Sequence, residues 1–230
     1  MRKILLVSGC SFTDKNFRSE FHPEMACNWK KWPELLGNYL DMDVVNLGRC
    51  GSGNEYIYSS IIEKALTIGP ENIGLIIPAW SQCQRRDWMT RSGRWENNRN
   101  DDKGHLRYHI HKSLRYYYSL QLFCENLNIP YKQCQMIEIV KKPVDKIDYD
   151  NAIKYIQELA INEAINKNNF IGYPMILDAG GFNIQWKVTS GRNPGLLKRF
   201  SISKEDSHPN AYGHKLIADF LFKNVMYEDL

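Results

Sequence analysis

Three separated stretches carry groups that would perform acyl transfer if the fold brought them together. The first is Gly9-Cys10-Ser11-Phe12-Thr13, which follows the apolar run Ile4-Leu5-Leu6-Val7. Four apolar residues bounded by Arg2-Lys3 and a glycine fit a short buried strand, so Ser11 stands just past a strand end. On a sharp turn there, its hydroxyl is exposed and its backbone N–H faces the same space. Such a hydroxyl attacks a carbonyl once a base takes its proton; a turn serine or helix cap is the structural alternative. The second stretch is Asn46-Leu47-Gly48-Arg49-Cys50-Gly51-Ser52-Gly53-Asn54. Its glycines let backbone N–H groups approach a ligand, and a helix start after it favours negative charge, which suits an oxyanion hole. Neither GxGxxG nor the GK[ST] of a phosphate loop is present. The third stretch is Glu205-Asp206-Ser207-His208-Pro209. A histidine oriented by a carboxylate is the general base that a serine nucleophile requires.

The elements that must position these groups alternate in type. Strands are expected at 3–7, 43–47, 73–79 and 129–136, with 171–177 a strand or a loop. Helices are expected at 29–40, 54–66, 106–126, 149–166 and 209–225, the last presenting Tyr212, Leu216, Ile217, Phe220 and Leu221 on one face. Alternation of this kind predicts a three-layer α/β/α sandwich around a parallel, flavodoxin-like sheet of about five strands, with the site at the strand carboxyl ends. At 230 residues the chain reads as a single domain over 1–230. Two stretches read as insertions, 84–104 and 180–201.

Composition narrows the class. Hydrophobic content of 43% and charged content of 24% are ordinary for a globular chain, and a net charge of +4 is too mild to imply nucleic acid. The six cysteines show no CxxC or zinc-like spacing and are expected to be free thiols. Val7-Ser8-Gly9-Cys10 imitates a lipid-attachment site, but its apolar run is four residues where a secretory signal needs roughly 7–15. A cytoplasmic location without membrane attachment is therefore expected. Cys10 should point to the opposite face from Ser11 and pack.

Taken together, GCSFT, NLGRCGSGN and DSHPNAYGH, in this order and at this spacing, resemble the SGNH hydrolase superfamily, the GDSL esterases. The likeness is greatest to a subgroup with a Gly-x-Ser-Phe-Thr start, met in phage and bacterial genomes. The resemblance implies that Ser11 is the nucleophile and that Gly51 donates an oxyanion N–H beside that of Ser11. It implies that His208 is the base, with Glu205 or Asp206 as its acid. The family acid usually stands three residues before the histidine, at Glu205, but a shorter Asp-x-His-Pro form favours Asp206. No metal or organic cofactor is implied. One departure stands out: the family's Gly-x-Asn-Asp after the third strand is here Pro78-Ala79-Trp80-Ser81-Gln82. The asparagine that donates a third oxyanion hydrogen bond is missing, and Ser81 or Gln82 is the candidate replacement.

The implied reaction is hydrolysis of an ester through an acyl-enzyme. Residues 84–115 hold nine Lys or Arg against four acids. Trp80, Arg85, Arg86 and Trp88 are candidates for a substrate wall, with arginines for anionic groups and tryptophans for sugars. With no long apolar stripe for a fatty chain, an O-acetylated carbohydrate or similar small ester is the expected substrate, and nucleic acid is not an expected partner. Trp186 and Arg192, in the second insertion, are further candidates. A binding module that keeps the fold without turnover, and an acyltransferase, are the alternatives. His105, His109 and His111 suggest a metal, but lacking HEXXH or a completing carboxylate they read as a solvated helix face. His214 reads as structural or exposed.

Overall fold

Along β1 (Ile4–Gly9), successive side chains enter opposite cores, as the two-residue period of a strand requires. Leu5 and Val7 pack with Leu75 and Ile77 of β3 (Ile73–Trp80) and with Trp32, Leu36, Ile217 and Leu221. Leu6 faces the other way, toward Ile76, Ile57, Ile61, Leu114 and Tyr117. Both faces of the sheet are covered, which is why β3 is apolar along nearly its whole length. The structure is a computed structural model that describes residues 2–98, 104–140, 146–190 and 199–226.

The central sheet adds β2 (Asp43–Asn46), β6 (Gln133–Gln135) and β7 (Phe170–Ile171) in the order β2-β1-β3-β6-β7, all parallel. This is the five-stranded, flavodoxin-like sheet expected from the sequence. Helix α1 (Trp32–Tyr39) packs with the C-terminal helix α6 (Ala211–Met226) on one face. On the other lie α2 (Asn54–Ile68), α3 (Leu106–Asn126), α4 (Lys146–Glu158) and the short α5 (Ala160–Ala164). No described helix is long and apolar enough to cross a membrane.

Several elements differ from the sequence expectation, each for a local reason. Helix α1 starts at Trp32 because Pro33 fits only its first turn and Glu34 caps the Lys31 N–H. The helix expected over 149–166 breaks at Leu159, whose backbone is extended. The strand expected over 129–136 pairs as a strand for three residues, with Tyr131 forming a lone bridge to Ile76. Residues 84–98 of the first insertion hold an antiparallel hairpin, β4 (Arg86–Met89) with β5 (Trp95–Asn98). On α6 the buried stripe is Gly213, His214, Ile217, Ala218 and Leu221, while Tyr212 is 65% exposed. Ile217 and Leu221 of the expected face are buried and Leu216 and Phe220 are half-buried against the same core, and the stripe is completed by Gly213, which lies against the Phe200 carbonyl, and His214, which accepts the Trp32 N–H.

Candidate active site

Ser11 lies on the turn that ends β1. The Cys10 carbonyl accepts the N–H groups of Thr13 at 2.8 Å and Asp14 at 3.1 Å, closing one tight turn with Ser11 at its shoulder. Cys10 is fully buried among Leu5, Val7 and Ile77, in the packing role expected of it. The glycine-rich loop after β2 docks against this turn. Asn46 anchors both, donating from Nδ2 to the Thr13 carbonyl while its Oδ1 accepts the Gly48 N–H, each at 2.9 Å. Gly48 has no room for a side chain, because a Cβ there would stand 2.6 Å from the Thr13 carbonyl carbon. Asp14 accepts the Cys50 N–H at 2.9 Å. Gly51 then turns at φ +79°, in the left-handed region that glycine enters without penalty. Among the described residues no hydrogen bond occupies the N–H of Ser11 or of Gly51.

His208 reaches this turn from the segment before α6. Its Nε2 is 2.8 Å from Ser11 Oγ, and its Nδ1 is 2.5 Å from Asp206 Oδ1. Asp206 is 1% exposed and also accepts the His208 backbone N–H at 3.0 Å and the Ser19 hydroxyl at 2.5 Å. Burial by itself would raise the Asp206 carboxyl. The hydrogen bonds from Ser19 and from the backbone and ring of His208 outweigh it and hold the pKa below the usual aspartate value. With Nδ1–H donating to an ionised carboxylate, Nε2 is left as the acceptor for the serine proton. The imidazole is stacked on Phe17 at 4.3 Å between centroids and lies against Phe12 at 5.2 Å. The two candidate acids therefore separate. Glu205 is exposed, with its backbone N–H bound to the Ser203 hydroxyl, and it makes no contact with the ring.

A cleft of about 390 Å³ opens over Ser11 and His208, lined also by Gln82, Arg85, Asn183 and Trp186. A smaller pocket of about 100 Å³ lies on the other side of Ser11, against Gly51, Phe17 and again Arg85. Of the two candidates for the missing asparagine, Gln82 lines the cleft and Ser81 does not. Ser81 is fully buried, locked to Asn54 through its N–H at 2.8 Å and its carbonyl at 3.3 Å. Gln82 is oriented. Its Oε1 accepts Arg85 Nε–H at 3.2 Å, which turns the amide NH₂ away from the guanidinium. Arg85 is in turn fixed by Nη1 to the Ser52 carbonyl at 3.1 Å, one residue past Gly51.

The remaining wall candidates part from the cleft. Trp80 is fully buried, tilted against the Tyr117 ring at 4.6 Å between centroids and donating to Gln133 at 2.9 Å, so it is core and not substrate wall. As the last residue of β3 it faces the α2–α3 layer, one strand step from the site. Arg86 and Trp88 stand on β4 outside the cleft lining. Trp186 does line it, and Arg192 lies outside the described residues. The hairpin is pinned by Asp87, which accepts the N–H groups of Gly53 at 2.8 Å and Tyr56 at 3.0 Å and so caps α2. His109 is 2% exposed, so that face of α3 is not wholly solvated, and His105 caps the helix at the Arg107 N–H. No cluster of three or more metal-ligating side chains occurs among the described residues.

Phe17, Ser19 and Asn183 were not foreseen. Ser19 and Phe17 belong to the irregular stretch before α1, where no periodicity marks a residue as important. Asn183 lies in the second insertion.

Strand order, layers and a serine turn at the carboxyl end of β1 define the α/β/α fold of the SGNH, or GDSL, hydrolases. No family model and no curated protein sequence matches the chain, but solved structures of this fold match it over nearly its full length. One is a lipolytic protein of the G-D-S-L family from Desulfitobacterium hafniense, with TM-score 0.56 and 17% identity, covering 96% of this chain and 99% of that one. Another is the psychrotrophic esterase EstA from Pseudoalteromonas sp., with TM-score 0.57 and 11% identity, over 97% and 96%. A third is Axe2, an acetylxylan esterase from Geobacillus stearothermophilus, with TM-score 0.55 and 14% identity, over 98% and 94%.

Proposed function

We propose that the chain is a serine esterase that removes a short acyl group, such as acetyl, from a polar carrier of carbohydrate type. The observation that carries this reading is the continuous line from Ser11 Oγ to His208 Nε2 at 2.8 Å and from His208 Nδ1 to Asp206 at 2.5 Å.

In this reading Ser11 Oγ attacks the ester carbonyl while its proton passes to His208 Nε2. The resulting imidazolium is held by Asp206, which stays ionised. The carbonyl π electrons move onto oxygen, and the oxyanion is met by the N–H groups of Ser11 and Gly51 and by the Gln82 amide. Collapse expels the alkoxide, which takes the proton from His208. Water, deprotonated by the same histidine, then releases the carboxylic acid and restores Ser11. Support for a short acyl group and a polar carrier comes from the cleft lining, where Gln82, Arg85, Glu138 and Asn183 leave little continuous apolar wall. The fold match to an acetylxylan esterase agrees with it.

The test is labelling with a fluorophosphonate followed by mass mapping of the adduct, paired with a comparison of acetyl and long-chain esters. Labelling at Ser11 that disappears in His208→Ala, with acetyl esters preferred, is the expected result. A folded protein that is not labelled would remove the esterase reading and favour a binding module. A preference for long-chain esters would remove the short-acyl assignment alone.

A further inference from the structure

A second cleft, of about 670 Å³, lies behind the root of the hairpin. One wall is a face of α3, where Tyr108, Lys112, Arg115 and Tyr116 recur at helical spacing. Opposite stand Tyr58 of α2 and Arg86 of β4. Arg85 and Arg86 are consecutive and serve different cavities: Arg85 lines the Ser11 cleft and Arg86 lines this one. Lys112 Nζ lies 3.5 Å from the Arg85 carbonyl, so the two cavities share a backbone wall.

The charge and the rings together identify a ligand class. None of Arg86, Lys112 or Arg115 has a described carboxylate within 4 Å. Among the described residues the one acid in the lining, Glu55, is disfavoured as a carboxylate by burial first and by the neighbouring Asp87 charge second, so it opposes the cations less than a solvated glutamate would. Three cations converging on one concavity, two of them guanidinium groups with paired donors, suit a carboxylate, sulfate or phosphate. Tyr58 and Tyr116 meet at 5.3 Å with a tilt of 34°, and Tyr108 is 54% exposed. Tilted rings do not form a parallel slot for a flat base, whereas tyrosine faces and hydroxyls suit the mixed apolar and polar surface of a pyranose. The volume is of the size that holds a small ligand.

We infer that this second cleft binds an anionic saccharide unit, its acidic group on Arg86, Lys112 and Arg115 and its ring against the tyrosines. The site is separate from the Ser11 chemistry and would hold an acidic glycan beside it.

Calorimetric titration of Ser11→Ala protein with trigalacturonate tests this without turnover. Binding is expected, with xylotriose, a neutral pyranose trimer, at least tenfold weaker. Arg115→Glu and Tyr108→Ala should each weaken trigalacturonate at least tenfold. Both side chains are exposed, so either variant made with Ser11 present should keep its thermal transition and its Ser11 labelling. A folded protein that does not bind trigalacturonate, binding undiminished in both variants, or equal affinity for xylotriose would overturn the inference. So would oligothymidylate binding more tightly than trigalacturonate through the same residues, because that would make the cleft a nucleic-acid site. Failure of Ser11 labelling in the parent protein would remove the esterase and leave this inference standing.

Discussion

Replacing Gln82 with alanine tests the oxyanion-donor role proposed for its amide, which lines the cleft beside Ser11. Loss of one oxyanion donor costs on the order of 10²–10³ in kcat, about 2.7–4 kcal/mol. Gln82 is half-buried in an open cleft, where water replaces part of what is lost, so the expected fall is near the lower end, about 100-fold in kcat with KM little changed. Arg85 should act through Gln82, because its Nε–H holds Gln82 Oε1 at 3.2 Å. Freeing a glutamine side chain returns up to about 1.5–2 kcal/mol of rotamer entropy. The cost of Arg85→Ala is therefore expected to be about tenfold in kcat, smaller than that of removing the donor. The two residues form one unit, so their effects should not add. In a Gln82→Ala background, Arg85→Ala should cost less than about threefold, the remainder being its contact with the Ser52 carbonyl. The assay is steady-state hydrolysis of p-nitrophenyl acetate by the four proteins of the cycle, with fluorophosphonate labelling of Ser11 as a check on the nucleophile. Unchanged kcat in Gln82→Ala would refute the donor role. A full tenfold loss from Arg85→Ala in both backgrounds would refute the clamp and make Arg85 a direct substrate ligand.

Ser19→Ala removes a donor to a buried carboxylate and should cost about 1.5–3 kcal/mol of stability near neutral pH. Because Asp206 has a depressed folded pKa, its contribution is present above the unfolded pKa and is lost as pH falls through the folded one. The variant should raise that folded pKa, so its loss of stability on acidification should begin at a higher pH than in the parent; urea midpoints that show the same acid profile in both proteins would refute the role. His214 is 2% exposed, accepts the Trp32 N–H at Nδ1, and has its pKa lowered to about 3 by burial first and by the Lys31 and His208 charges next. Between the unfolded pKa near 6.5 and that value the unfolded chain takes up the proton and the native one does not, so stability should fall by about 1.4 kcal/mol per pH unit as the solution is acidified. Urea midpoints of the parent and of His214→Gln, compared between pH 7 and pH 4, should show a shallower slope in the variant; equal slopes would refute this. Trp80→Phe should cost about 1–3 kcal/mol by leaving Gln133 Oε1 without its donor, with KM unchanged. A raised KM at unchanged stability would return Trp80 to the substrate wall.

What the chain reveals of its site before folding depends on where each group lies relative to regular structure. Ser11, Gly51 and His208 each adjoin a strand end or a helix start, so the apolar run or helical period beside them marks their place. Asp206 and Glu205 are adjacent in sequence, and spacing alone cannot choose between them. The choice is made by Ser19, 187 residues away, whose hydroxyl fixes Asp206 inside the fold. Trp80 shows the opposite limit. Its position after the third strand is right for a site residue, but whether the last residue of a strand faces a cleft or a core follows from the pleat, which a one-residue shift in register inverts. Arg85 and Arg86 show the same limit, since neighbours of like chemistry are sent to different cavities by the start of β4. Residue type thus points to the chemistry a position can do, and side-chain direction at the strand ends decides which of those positions touches a common space.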